Sequence, residues 1–116
     1  MAPWCNRIRP GPIVVEGRTV DLEPNFDDGT AIHGQVSSRP WERTGDGALR
    51  VSGGDDGSGW PWAYDVVAQA SVDGPTLRLL YRLTNRSDGH MPAGIGLHPW
   101  FRKPVEVAIP AEMVYP

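Results

Sequence analysis

A chain of 116 residues with a formal net charge of −3 has room for one domain that buries roughly two-thirds of its unfolded surface. Its scattered Lys and Arg form no basic stripe, so no nucleic-acid partner is expected. The single cysteine, Cys5, excludes an internal disulfide, and no paired metal-ligand spacing is present.

Met1 to Arg7 lacks both the apolar run of a signal peptide and the ~20 apolar residues of a membrane span. The expectation is a soluble, cytoplasmic protein without a membrane partner, its oligomeric state left open. Twelve prolines and fourteen glycines run through the whole length, which leaves no window with clean 3.6-residue periodicity and predicts an all-β chain. Pro12 to Val15 and Arg18 to Glu23 read as a hairpin through Glu16-Gly17. Asn25 to Gly34 is polar and turn-rich, a loop that delivers Ile32-His33-Gly34 to a surface.

Ala48 to Ser52 is a short strand, and Gly53 to Gly59 is a solvated loop. The Asp55-Asp56 pair in that loop lacks the ligand ladder and terminal Glu of a calcium site. Tyr64 to Ser71 places Tyr64, Val66, Ala68 and Ala70 on one face. Leu77 to Thr84 does the same with Leu77, Leu79, Tyr81 and Leu83. Asp73-Gly74 should join the two as a hairpin, with both apolar faces turned into one core. Asn85 to His90 is a turn, with His90 exposed and inert. Val105 to Ile109 alternates again, and the chain closes on Tyr115-Pro116 without a helix cap.

Gly94-Ile95-Gly96-Leu97-His98-Pro99-Trp100-Phe101 carries the strongest chemical signal. Taken as a strand, it sets His98 on the same face as Gly94 and Gly96. Paired glycines beside a titratable group mark a surface open to a ligand or another backbone. Trp100 and Phe101 supply flat apolar walls of the kind that stack on sugar rings. The same octapeptide also reads as a histidine at a strand end in a Gly/Pro-punctuated turn.

Several blocks occur together in order: Pro3-Trp4-Cys5-Asn6-Arg7-Ile8, Thr30-Ala31-Ile32-His33-Gly34, Arg39-Pro40-Trp41, Trp60-Pro61, Asn85, and Gly94 to Phe101. Over almost the entire chain they resemble the aldose 1-epimerases, or galactose mutarotases. The resemblance implies an antiparallel β-sandwich of the galactose mutarotase-like, supersandwich type. It implies an enzyme that interconverts the α and β anomers of a small-molecule hexose with no cofactor and no metal. It assigns the ring-oxygen acid to His98 and sugar contacts to Asn6, Arg7 and His33; Trp100 or Phe101, read above as stacking walls, is expected near the rim of the same surface. The residue types fit: ring opening needs a proton delivered to the ring oxygen while one leaves the anomeric hydroxyl, and a histidine exchanges protons near neutral pH. An arginine offers a rigid fork of donors to vicinal hydroxyls.

The departures from the family pattern set further expectations. The family's catalytic glutamate and sugar-binding aspartate lie far downstream of the histidine block and have no counterpart here, and Glu106 and Glu112 do not match them. Residues 1–116 therefore read as a partial domain lacking N-terminal strands and the C-terminal half, with impaired catalysis. The alternatives are a non-catalytic carbohydrate-binding β-sandwich module and an inactive fragment that needs a complementary chain.

Overall fold

A computed structural model describes residues 1–112; the closing Tyr115-Pro116 lies outside the described residues. Every strand ladder is antiparallel, and no helix occurs among the described residues. The strands are β1 (Arg7–Ile8), β2 (Ile13–Val15), β3 (Arg18–Val20), β4 (Ala31–Ile32), β5 (Glu42–Arg43), β6 (Leu49–Gly53), β7 (Tyr64–Asp73) and β8 (Thr76–Asn85). They form a β1-β4 pair, a β2-β3 hairpin and a four-stranded sheet in the order β5-β6-β7-β8.

The β2-β3 hairpin turns through Glu16 and Gly17, both at positive φ (49° and 71°). Two left-handed residues give the turn whose twist matches the flanking strands. β7 and β8 pair over ten residues each, from Tyr64 opposite Asn85 to Asp73 opposite Thr76. The connecting pair is thus Gly74-Pro75, one residue later than Asp73-Gly74. Gly74, at φ 54°, takes the left-handed position there.

The core lies where the start of β7 meets the small sheets. Trp62, Tyr64, Val66, Val51, Val20, Ala31 and Trp4 are buried together. The Trp60 ring lies 5.2 Å between centroids from both Trp4 and Trp62, tilted by 33° and 59°. Burial raises the Tyr64 hydroxyl to about 12. That hydroxyl donates to Gln35 Oε1 at 3.0 Å, and Gln35 Nε2 donates to Ser58 Oγ at 2.7 Å, so one buried side chain ties two loops to the sheet. Asp65 is a buried carboxylate that accepts from Ser52 Oγ (2.6 Å), Arg50 (2.7 Å) and Arg86 (2.5 Å). It links β6, β7 and the turn after β8.

Four expectations are corrected. Gly94 to Phe101 joins none of the sheets; the Gly94 and Gly96 N–H groups donate instead to the Pro3 and Met1 carbonyls, and Pro99 supplies no N–H to carry that pairing further. Val105 to Ile109 likewise has no strand partner and lies exposed. The strand expected over Arg18 to Glu23 stops at Val20. The β7-β8 apolar residues share one face as read, since Val66 lies opposite Leu83 and Ala68 opposite Tyr81. Only the half near Tyr64 is covered; Leu77 and Leu79, on the same face, are 59% and 44% exposed because no element among the described residues lies over the far half of the hairpin.

Candidate active site

The segment Met1 to Asn6 holds the site together by offering alternate carbonyls to two neighbours. The Ala2 carbonyl accepts from Gln35 N–H at 2.8 Å, the Asn6 carbonyl accepts from His33 N–H at 2.9 Å, and Trp4 Nε1–H donates to the Ala31 carbonyl at 3.1 Å. The Met1 and Pro3 carbonyls accept from Gly96 N–H (3.0 Å) and Gly94 N–H (2.7 Å), and the Met1 amino group donates back to the Gly96 carbonyl at 2.8 Å. His33 and His98 each follow one of these tethered stretches.

Glycines permit the close approach. A Cβ on Gly34, whose φ is +74°, would lie 2.0 Å from the Ala2 carbonyl oxygen. One on Gly96 would lie 2.8 Å from Met1 Cε and 3.0 Å from Cys5 Sγ. The surface that the two strand-end glycines leave open is therefore occupied by the chain's own first residues. Asn6 and His33 both sit at positive φ (57° and 66°), a left-handed conformation that is uncommon outside glycine and concentrates at functional sites.

The result is a meeting of residues far apart in sequence. The His33 and His98 rings stand edge to face with centroids 5.4 Å apart, and Trp100 stacks on His98 at 5.6 Å. His33 is half-buried and its Nδ1 has no hydrogen-bond partner among the described residues. Burial first, then the neighbouring His98, the Met1 amino group and Arg7, hold its pKa below the ordinary histidine value. A neutral imidazole at physiological pH follows. Trp100 is 88% exposed and Phe101 61%. Phe101 forms no ring contact with the histidine pair among the described residues.

Arg7 is held from three directions. Its Nε donates to Asp28 Oδ2 at 2.8 Å, a terminal nitrogen donates to Asn6 Oδ1 at 3.2 Å, and its guanidinium lies 5.0 Å from the Phe26 ring centre. The Thr30 hydroxyl and N–H, and then Arg7, keep the Asp28 carboxyl below its ordinary pKa.

A family model for aldose 1-epimerase matches residues 1–113 of the sequence. The chain belongs to the aldose 1-epimerase family. Neither the curated proteins nor the solved structures contained a match. The all-β, antiparallel architecture is that of the galactose mutarotase-like class, and membership in an aldose epimerase family points to a sugar as the ligand class. Among the described residues no helix is long and apolar enough to cross a membrane.

The Asn25-to-Gly34 loop was legible as a turn, but the bracing that its side chains give to this candidate site was not. Asn25 clamps β4, its Oδ1 accepting from Ile32 N–H at 2.6 Å and its Nδ2 donating to the Ile32 carbonyl at 3.1 Å. Asp28 and Phe26 grip Arg7 from the same turn. The signal was the run Asn25-Phe26-Asp27-Asp28-Gly29, where side chains that bond to nearby backbone are common. Two cavities bordered by the segments that carry the site are lined by neither His33 nor His98. One of about 300 Å³ is bounded by Trp4, Cys5, Trp60 and Gly94, and another of about 330 Å³ by Leu83, Asn85, Met91 and Ile95. His98 itself is solvent-exposed.

Proposed function

We propose that the His33–His98 surface binds a free hexose and assists opening of its ring. The observation that carries this reading is the 5.4 Å approach of the two imidazoles, with Trp100 stacked on His98. His98, exposed at the surface, delivers a proton to the ring oxygen. Neutral His33, Asn6 and the braced fork of Arg7 hold sugar hydroxyls, and Trp100 and Phe101 flank the apolar face of the ring. No cofactor or metal enters the reaction.

Removal of the anomeric hydroxyl proton needs a base. No carboxylate among the described residues hydrogen-bonds to either histidine ring. A positioned base contributes about 10²–10⁴-fold, so the chain is expected to be a weak mutarotase in which water takes that proton. Residues 1–116 form a partial galactose mutarotase-like domain in this reading, which the uncovered apolar face of β7-β8 supports. A cytoplasmic role in hexose metabolism completes it.

The openness of the site, with Trp100 88% exposed, favours one competing reading: sugar binding without catalysis. Polarimetry on fresh α-glucose or α-galactose, beside a titration of the same sugars followed by NMR, separates the two. The expected outcome is a modest acceleration of mutarotation, abolished in His98→Ala with sugar binding retained. Binding with no acceleration, in wild type as in His98→Ala, selects the binding module. Neither binding nor acceleration overturns both.

A further inference from the structure

β8 is the outer strand of the four-stranded sheet, and among the described residues nothing pairs with its free edge. A ten-residue edge of this kind is a template for another strand. The same chain carries an unpaired segment of matching character. Val105-Glu106-Val107-Ala108-Ile109 lies between Pro104 and Pro110, which confine any ladder to these residues. Val105, Val107 and Ile109 are 50%, 58% and 73% exposed.

We propose that Val105 to Ile109 of one copy adds antiparallel to the β8 edge of a second copy, and that reciprocal exchange of the two segments closes a two-fold dimer. The register that sets Val107 opposite Tyr81 fixes the rest. Ile109 then faces Leu79 and Val105 faces Leu83 on the apolar side, while on the other side Glu106 faces Arg82 and Ala108 faces Leu80. Apolar residues meet apolar residues, and the one acid meets an arginine that has no ion-pair partner among the described residues. Shifting the segment by two residues, with Val107 opposite Leu79 or Leu83, puts Glu106 opposite Leu80 or Thr84 and loses the charge pair; shifting it by four, with Val107 opposite Leu77, sets Glu106 opposite Arg78 but runs Ile109 past the end of β8. Directly opposed side chains are the units that stabilise a sheet, so complementarity selects one register. The occupant is a second copy because the segment makes no backbone hydrogen bond to β8 within its own chain, and exchange of identical elements is a low-cost route to a dimer. This inference rests on the sheet edge and not on the sugar site.

Cross-linking tests it in a Cys5→Ser background. Tyr81→Cys on one copy is mixed with Val107→Cys on another under mild oxidation, and the two changes are also made together in a single chain. A mixed disulfide of twice the chain mass, with neither variant cross-linking alone, is the expected result. A double variant that yields only monomer-mass disulfide means the segment folds back on its own β8, and overturns the proposal. A ladder of higher masses means head-to-tail exchange and overturns the closed dimer; no disulfide overturns the contact itself. Sedimentation of the full chain supplies the second measurement. Glu106→Arg breaks both symmetry-related pairs and should raise the dimer dissociation constant about 25-fold, from about fivefold at the upper end for each exposed pair, and adding Arg82→Glu should restore it. Failure of the charge reversal to rescue would reject this register.

Discussion

His33 reports on its neighbours because its pKa is set by burial and by nearby positive charge. Replacing His98 with Gln, or Arg7 with Ala, removes a positive neighbour and should move the His33 titration upward, toward the ordinary histidine value. An NMR pH titration of the imidazole resonances checks this, and an unmoved His33 would mean the two rings are not close in solution. The sign for stability also follows. A folded pKa below the unfolded value gives a contribution that is complete above about pH 6.5 and fades as pH falls toward the folded value. Gly34 is the second informative residue. Gly34→Ala sets a methyl 2.0 Å from the Ala2 carbonyl oxygen at a φ of +74°, so the chain must part from Met1 to Asn6 there. The expected cost is about 1–3 kcal/mol from backbone strain alone, read by denaturant unfolding, with loss of the His33–His98 contact.

Among the elements, the four-stranded sheet depends on Asp65, the buried charge that ties β6 and β7 to the turn after β8. Burial drives its pKa up, but the hydrogen bonds from Ser52, Arg86 and Arg50 outweigh this and leave it below the ordinary 3.8. The stability it contributes is therefore present above pH 3.8 and is lost as pH falls through the lower, folded value. Asp65→Asn weakens two charge-assisted bonds whose arginines are half-exposed, so a loss of about 1–3 kcal/mol is expected. The acid limb of the stability curve should flatten in the same variant, and unchanged acid unfolding would show that other carboxylates dominate it.

At the scale of the whole molecule, much apolar surface stays in water. The accessible surface is 8871 Å², against about 6,200 Å² for a compact monomer of this mass. The radius of gyration is 16.1 Å, against about 13.4 Å for a compact chain of this length. Val72, Leu77 and Leu79 on one hairpin face, with Leu80 on the other, account for part of the excess. A patch of this kind invites association. Val72→Lys with Leu77→Lys should lower binding of an apolar dye and reduce concentration-dependent scattering. The midpoint of unfolding should stay within about 0.5 kcal/mol of wild type, since neither side chain packs into the core. A large loss of stability would instead place these residues in a contact made in solution.

The sequence by itself determined what local chemistry dictates. Dispersed Pro and Gly forbade helices, Glu16-Gly17 set one hairpin, and period-two alternation fixed which residues of β7 and β8 share a face. The ordered blocks around Asn6-Arg7, His33 and His98 were enough to recover the family. Tertiary structure alone decided how much of the β7-β8 face is covered, because burial depends on what lies opposite a face and not on its pattern. It also decided the short β1-β4 and β5-β6 pairings, because β1, β4 and β5 are two residues long and carry too little periodicity to be read. Gly94 to Phe101 had the alternation of a strand but joined no sheet, since its Gly94 and Gly96 N–H groups bond to the carbonyls of Pro3 and Met1. The approach of His33 to His98 arose from alternating carbonyls of Met1 to Asn6, a backbone device that no side-chain pattern encodes.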